Sequence, residues 1–520
     1  MKKYSILIAS FTALFWVNVQ AQQISGAMGE KFKLRVIASK LSDPWEITYG
    51  PDKSLWITEA KGYRVSKIDP ETGKRTILLD LNSERQFPRY DKMSKEASGG
   101  KPWPQGGLMG LALHPQLLTG KPFVYLAYLY RFEGVDRNGD GCKLNFGGCF
   151  FTTKIVRYEY NASTQKLLNP IILADTIPGS SDHNGGRLTI APVNGKDYLF
   201  YAIGDLGAGQ FVNANRPNHA QQKEVYEGKI LRFNTEADAD QRAFDQWIPA
   251  DNPFNTTSRQ NSVWSFGHRN PQGLIYAVVN GVGRLYSSEH GPFSDDEINV
   301  IEKGKNYGHP LIIGYPDGNY NGLAAGVSNH DSLPGKWHTS YPYIESEQEN
   351  LKTIGIETYR APMKTLYPNS NGLLTNLFGE IKSGNSDSKW PSEAPSSLAV
   401  YTSSAIPGWK NSVLLPTLKG GKLVRLKLND SGDQITGDTI NYFKGDVRYR
   451  DMAISSDGTK IYLSTDSGSV SSGPSKENPQ QVSYKGSILE FTYLGQDTNS
   501  RPQSSKLPQS NVADEKKKIK

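Results

Sequence analysis

The apolar positions of this chain fall in short runs of roughly four to eight, broken by Gly, Pro, Asp or Asn, and few windows hold a helical spacing. One pattern recurs in six units. An apolar strand leads to a turn, a second strand rich in Trp or Tyr ends in polar residues, and a third often carries a basic residue. The first unit reads "WEITYGPDKSLWITEAKGYRVSKIDPETG". The second has "GLMGLALHP", "FVYLAYLY" and "KIVRYEY"; the third has "GGRLTIAP", "YLFYAIGD" and "KILRFN". The fourth has "QGLIYAVV", "RLYSSEHGP" and "EINVIE"; the fifth has "SSLAVYTS", "SVLLPTLKGG" and "LVRLKLND"; the sixth has "YRDMAISSDG", "KIYLSTDSG" and "SILEFTYL".

Short antiparallel strands repeated at a coarse period predict an all-β fold. The expected form is a six-bladed β-propeller of four-stranded antiparallel blades, whose radial repetition protects strand edges. From about residue 30 to 496 the units average roughly 78 residues, well above the ~40–50 of compact blades. The excess must be long loops, the largest being 83–106, 131–152, 211–228 and 313–390. Long ordered loops on a rigid scaffold are where function concentrates. Residues 497–520 are polar and rich in Ser, Gln and Lys, the composition of a disordered tail.

Residues 1–21 read as a secretory signal peptide: Lys2 and Lys3, an apolar core, then Val19-Gln20-Ala21. The core is short for a membrane span and no second long apolar run follows, so a periplasmic or secreted protein is expected. The net charge of +7 is mild and comes partly from the terminal "EKKKIK". No basic helix or RNA-binding signature accompanies it, which argues against nucleic acid. The two cysteines, Cys142 and Cys149, lie in "GDGCKLNFGGCF". Export to an oxidising compartment predicts a local disulfide between them.

In an antiparallel pair, the start of the first strand and the end of the second lie at the same end. Before first strands stand Gln105, Asp182-His183, Arg269-Asn270, Trp390 and Arg448-x-Arg450; after second strands stand Glu59, Asp205, His290-Gly291-Pro292 and Lys419. With the first strand innermost, all of these converge on one face around the central channel. That face collects a candidate base, His183, with Asp182 to orient it. It also collects four cations: Arg269, Lys419, Arg448 and Arg450. Arg448 and Arg450 flank Tyr449, so alternation along a strand puts both of their side chains on one side of it. Four converging cations call for a ligand with several carboxylates or phosphates. No Gly-rich nucleotide fingerprint opens a helix after a strand. His114, in "LALHPQL", stands at a plain turn and reads as structural.

The segments "GGLMGLALHP", "SSDHNGGRL", "GHRNPQGL", "GPFSDDEINVIEKGKNYG", "APSSLAVY", "LLPTLKGG" and "RYRDMAISSDG" resemble, in order, the soluble quinoprotein glucose dehydrogenases of the glucose/sorbosone dehydrogenase family. The similarity spans about residues 32–492. It implies a six-bladed propeller and the cofactor pyrroloquinoline quinone (PQQ), a tricarboxylate ortho-quinone. By resemblance His183 is the base for the C1 hydroxyl of an aldose and Asp182 its partner. Gln105, Gln210, Phe211 and Trp390 match the sugar pocket. Arg269 and Asn270 match contacts to the quinone oxygens; Lys419, Arg448 and Arg450, with Ser392 near them, match the carboxylate binders. The implied chemistry is proton removal by His183 with hydride loss from C1, giving a lactone, and electrons pass on to an external acceptor.

The resemblance also implies calcium, held at the active site by the Gly291 and Pro292 carbonyls and acting as a Lewis acid. Glu297 with the Tyr307 carbonyl matches a further site. The Ile313 and Tyr315 carbonyls, with Asp317 and Glu345, match another; oxygen-only ligation suits calcium. These sites go with a homodimer in the family. "DRNGDG" at 136–141 resembles the first half of a calcium loop, with Gly147 in place of its closing Glu. His290 stands where the best-known members have Gln, and Asp387 where an aromatic helps form the sugar wall. Two other readings stay open at this point: a calcium-dependent lactonase-type hydrolase on a six-bladed propeller, and a non-enzymatic binding propeller.

Overall fold

The computed structural model describes residues 22–87, 104–132, 147–238, 245–329, 337–385, 390–466, 482–497 and 506–507. Residues 1–21, Cys142, the 136–141 segment, Asp387 and most of the tail beyond 497 lie outside the described residues.

The recurring units are the blades of a six-bladed propeller. Blade 1 is Pro44–Tyr49, Leu55–Glu59, Arg64–Ile68 and Arg75–Asp80. Blade 2 is Leu108–Leu113, Phe123–Phe132, Phe150–Asn161 and Lys166–Ser180. Blade 3 is Leu188–Val193, Lys196–Ile203, Lys229–Asn234 and Val263–Phe266. Blade 4 is Pro271–Val279, Val282–Glu289, Asp296–Ile301 and Lys364–Leu366. Blade 5 is Ala399–Tyr401, Ser412–Pro416, Leu423–Leu428 and Ile435–Tyr442. In each, strand order in the sheet follows chain order.

Turn chemistry sets these meanders. In blade 3 the hairpin closes on Val193↔Lys196 through Asn194 and Gly195, both at positive φ (51° and 79°). In blade 4 Asn280 and Gly281 do the same between Val279 and Val282, with φ of 48° and 86°. Asn-Gly pairs suit a two-residue turn that needs φ > 0 twice and matches the strand twist.

The sixth blade differs from the expected four strands. Tyr449–Ile454, Lys460–Thr465 and Ile488–Gln496 are joined by Glu30–Ala38 and Gln22–Ser25, giving a five-stranded sheet. Glu30–Ala38 pairs with Ile488–Gln496, so the two ends of the propeller chain close the ring. Among the described residues the first strand is Gln22–Ser25. The closure is aromatic: Phe32 meets Phe443 edge-on at 5.1 Å, and Phe443 stacks on Phe491 at 3.9 Å. Such pairs contribute about 0.5–1.5 kcal/mol each beyond burial.

The first strand of each blade packs on the first strand of the next, and Tyr449–Ile454 returns to Pro44–Tyr49. These strands are therefore innermost. Arg187 fills the axis and is 2% exposed, so every donor needs a partner. Its Nη1 lies 2.5 Å from Glu46 Oε2 and 2.9 Å from Asp451 Oδ2. Nε and Nη2 donate to the carbonyls of Gln272 (3.1 Å) and Ser396 (3.2 Å), and the guanidinium lies 4.1 Å over the Trp45 ring. One side chain thereby joins segments of five blades.

The long excursion after Asp296–Ile301 carries its own elements. They include the helices Glu347–Ile354 and Asn371–Lys382, each N-capped by a serine (Ser346 and Ser370). Leu374 and Phe378 of the second helix pack with Phe293 and Trp390. Among the described residues no helix is long and apolar enough to cross a membrane.

Candidate active site

His183 sits at φ 48°, in the left-handed region, just ahead of Gly185 (62°) and Gly186 (99°). That conformation costs a residue with a Cβ about 1 kcal/mol or more. Local bonds hold it: Asp182 Oδ1 accepts from His183 N at 3.1 Å, and Asn184 N donates to Gln105 Oε1 at 3.0 Å. Asn184 Nδ2 also donates to the carbonyls of Gln105 and Ser180. A Cβ on Gly185 would meet the Ala202 carbonyl at 2.7 Å, which explains why glycine follows the histidine.

The carboxylate on the imidazole differs from the one expected. His183 Nδ1 lies 2.7 Å from Asp205 Oδ1, whereas Asp182 Oδ1 lies 3.7 Å from Nε2. Asp205 follows the second strand of blade 3 and reaches the ring from its far side. Asp182 instead orders the pocket rim, accepting from Gln105 Nε2 (3.2 Å) and Gln210 Nε2 (2.9 Å). Burial alone pushes the Asp205 carboxyl up, but His183 and His309 overcome it and hold the group well below the usual carboxylate range.

Gln210 fixes the tautomer of His183. Its Oε1 accepts from Arg269 Nη2 at 2.8 Å, so its NH2 group faces Asp182 and lies 3.0 Å from His183 Nε2. A donor against Nε2 requires that nitrogen to be bare, with the ring proton on Nδ1 directed at Asp205. Arg269 also donates from Nη1 to the His290 carbonyl at 3.1 Å, and its backbone N donates to Glu289 at 3.0 Å.

The remaining cations gather beside this array. Arg450 makes a forked pair with Asp466 (3.0 and 2.8 Å), and Arg448 Nε lies 3.7 Å from the same carboxylate. Arg448 precedes the strand and Arg450 lies at a register shift between Tyr449 and Asp451, so it is the shared Asp466 rather than regular alternation that brings the two together. Arg450 Nη1 donates to Gln272 Oε1 (3.1 Å), and Gln272 Nε2 donates to Asn270 Oδ1 (2.9 Å). Both guanidiniums face the Asp466 carboxylate here, and Asp43 is a further negative charge acting on both. Lys419 Nζ donates to the Trp390 carbonyl and lies 4.5 Å over its ring. Burial pushes Lys419 down to about 8. Ser392 donates to Asp296 Oδ2 at 2.7 Å, and Asp296 Oδ1 accepts from Gly291 N at 3.1 Å. That one carboxylate ties the Ser392 loop to the Gly291 turn. Burial pushes it up to about 6.

Other positions fall elsewhere. Phe211 lies on the rim loop and is 58% exposed, a lip rather than a wall. Glu59 is buried but pairs with Arg75 and the Ser42 backbone. His114 Nδ1 accepts from Gln116 N at 3.0 Å, a turn role as read. Glu297 is buried, pushed up by burial, and accepts from Gly314 N (3.1 Å) and Asn299 (3.0 Å). Tyr307 is also buried, stacked on His268 at 4.5 Å. The loop carrying Ile313, Tyr315 and Asp317 is braced by Glu347, which accepts from Ile313 N and Gly318 N at 2.9 Å; Glu345 is exposed. Among the described residues no three His, Cys, Asp or Glu side chains cluster to hold a metal.

Sequence reasoning missed Asn184, Gln272, Asp296, His309 and Asp466. Only Asp466 had a signal: it follows the second strand of blade 6 in "YLSTD", as Asp205 follows that of blade 3 in "FYAIGD".

Propeller, axis and channel-mouth array define a class: a six-bladed scaffold with a buried, carboxylate-bound histidine beside several arginines. The family model for glucose/sorbosone dehydrogenase matches residues 41–360 and 385–472. Quinoprotein glucose dehydrogenase B of Acinetobacter calcoaceticus is 33% identical over 521 residues, covering 94% of this chain and 97% of the relative. The PQQ-bound aldose sugar dehydrogenase of Streptomyces coelicolor superposes with a TM-score of 0.56 at 22% identity, covering 90% of this chain and all of that one. The apo-form of the soluble aldose sugar dehydrogenase of Escherichia coli gives 0.57 at 23%, covering 89% and 99%. The chain belongs to the glucose/sorbosone dehydrogenase family and is an oxidoreductase. The hydrolase and binding-propeller readings fall with that assignment.

Proposed function

We propose that this protein is a PQQ-dependent dehydrogenase that oxidises an aldose at C1 to the lactone and passes the electrons to an external acceptor. The observation that carries the reading is a bare, buried His183 Nε2 hydrogen-bonded through Gln210 to Arg269. The pocket fits the cofactor. Arg269 Nε and Asn270 Nδ2 are buried without a hydrogen-bond partner among the described residues. These are donors for the quinone oxygens; Lys419, Arg448 and Arg450 are the carboxylate binders, with Ser392 beside them. When bound, PQQ supplies an electrophilic carbonyl that accepts a hydride.

The chain's own residues do the rest. His183 Nε2 takes the proton of the C1 hydroxyl as the C1–H bond breaks, and the proton on Nδ1 stays shared with Asp205. A sugar hydroxyl reaches Nε2 by displacing the Gln210 amide, which keeps its hold on Asp182. Arg269 stabilises negative charge developing at the pocket. Gln105, Gln210, Phe211 and Trp390 bound the sugar site.

Calcium belongs to the same reading. Among the described residues the Gly291 and Pro292 carbonyls accept no hydrogen bond, which leaves both oxygens for a hard cation. The sites at Glu297 with Tyr307, and at Ile313, Tyr315, Asp317 and Glu345, go with a homodimer. The exposure of Glu345 makes it the weakest of those ligands. Residues 1–21 direct export to the periplasm or beyond, and Cys142 pairs there with Cys149.

The test is a titration of PQQ into chelator-treated protein, with and without calcium, followed by glucose-dependent dye reduction. Activity should require both. Full activity without PQQ defeats the quinoprotein reading, and full activity without a divalent ion defeats the metal role alone.

A further inference from the structure

Asp205 is among the most heavily hydrogen-bonded side chains of the site. Oδ1 accepts from Gly207 N (2.9 Å) and faces His183 Nδ1 (2.7 Å). Oδ2 faces His309 Nε2 (2.9 Å), Asn218 Nδ2 (3.1 Å) and the Tyr341 hydroxyl (3.1 Å). A carboxylate is acceptor-only, so each of these contacts requires a donor. Asn218 Nδ2 also lies 3.2 Å from His309 Nε2, but its hydrogen goes to Oδ2, and a bare ring nitrogen 2.9 Å from a carboxylate oxygen would be repelled, so His309 carries its proton on Nε2. Its Nδ1 is buried without a partner among the described residues, which excludes the doubly protonated ring, because that N–H would have no acceptor. His309 is a neutral donor pinned edge-on against Tyr341, with ring centroids 5.6 Å apart.

We propose that His309 is a positioning residue for the base, acting through Asp205 to keep the His183 proton on Nδ1 and Nε2 bare. The proposal rests on the reading of His183 as the base. The physical argument is geometric: the His309 donor occupies Oδ2 and prevents the carboxylate from rotating off the imidazole, so Oδ1 keeps accepting from Nδ1.

The other ionisable groups around this array are Asp182 on the His183 side, Arg269 and His290 across the pocket, and Glu289, which with Arg269 acts on His309. Arg216 and Tyr341 flank Asp205. Replacing a neutral His309 alters none of their charges, so a change at His183 reports the hydrogen bond itself.

The experiment compares wild type with His309→Phe, His309→Gln and His309→Ala. The first readout is the tautomer of the His183 ring in apo-protein by 15N NMR; with only 8 histidines, His183→Gln assigns the signal. Phe and Ala remove the donor and should move the His183 ring proton from Nδ1 toward Nε2, while Gln, which can donate to Oδ2, should return most of it to Nδ1. The second readout, in PQQ-loaded enzyme, is steady-state kinetics: kcat should fall about tenfold, with KM for glucose little changed. Folded Phe or Ala variants with an unmoved His183 tautomer overturn the proposal, as does a Gln variant no better than Ala. A moved tautomer without dehydrogenase activity in the wild type upholds His309 and defeats the enzymatic reading instead.

Discussion

His183 Nδ1 and Asp205 Oδ1 are 2.7 Å apart, although the adjacent residue, Asp182, offers a carboxylate one peptide bond away. A neighbour in sequence cannot reach Nδ1 of a ring whose backbone is already turned into the left-handed region; the end of the next strand can. Asp205→Asn should therefore cost more than a surface carboxylate would. An amide turned to donate to Nδ1 puts the proton on Nε2 and removes the base, so turnover should fall roughly 10²-fold or more, as for His183→Gln. Both variants should still bind PQQ. Near wild-type dye reduction by either, at saturating PQQ and glucose, would remove His183 from the mechanism.

Lys419 predicts a pH dependence of cofactor binding. Burial holds its pKa at about 8 in the free protein, and a polycarboxylate favours the charged form. The bound pKa must then be higher. Affinity is unaffected by this group below about pH 8 and falls as pH rises through the free-protein value, approaching tenfold per unit until the bound pKa is reached. Fluorescence titration of PQQ at about pH 7 and about pH 9 should show the drop. Lys419→Met should bind more weakly and lose the slope; a slope that survives the substitution refutes the assignment.

Arg187 predicts a stability effect remote from the chemistry. Arg187→Met leaves Glu46 and Asp451 facing each other at the axis without a cation and frees the Gln272 and Ser396 carbonyls. Breaking such a buried set by removing one partner costs about 3–5 kcal/mol. Chemical denaturation should show it, and Glu46→Gln added to Arg187→Met should recover part of the loss. A change below about 1 kcal/mol would mean that water replaces the guanidinium.

The closure of blade 6 predicts what truncation does. Glu30 Oε1 accepts from Trp409 Nε1 (2.9 Å) and Tyr442 (2.8 Å), so its strand ties blade 6 to blade 5. Deleting residues 22–38 exposes the edge of Ile488–Gln496 and uncovers Trp409 and Phe443, and the product should aggregate. A monomeric, cooperatively unfolding product in size-exclusion and thermal melts would show that the ring holds without its closing strand.

Cysteine pairing is checked by mass. Cys149 is buried on a segment whose Gly147 and Cys149 carbonyls accept from Arg216 at 3.1 and 2.8 Å. Alkylation of exported protein without reductant should leave both cysteines unmodified; two modified thiols refute the disulfide.

Alternating apolar strands, Asn-Gly turns and a repeat at constant phase specify a meander of strands, because period and turn geometry are local properties. The six blades and the face on which His183, Arg269, Lys419, Arg448 and Arg450 gather follow from that phase alone, and applying the same rule once more would have found Asp466. Partnership is not local. Glu30–Ala38 is an ordinary strand until Ile488–Gln496 offers it an edge more than 450 residues away in sequence. Nothing near His309 indicates that it will donate to Asp205, which lies 104 residues earlier, and nothing near Asp182 indicates that it will be passed over. Which donor meets which acceptor depends on how adjacent blades dock and on burial, which makes every unpaired polar group costly. Those constraints act only on the assembled ring.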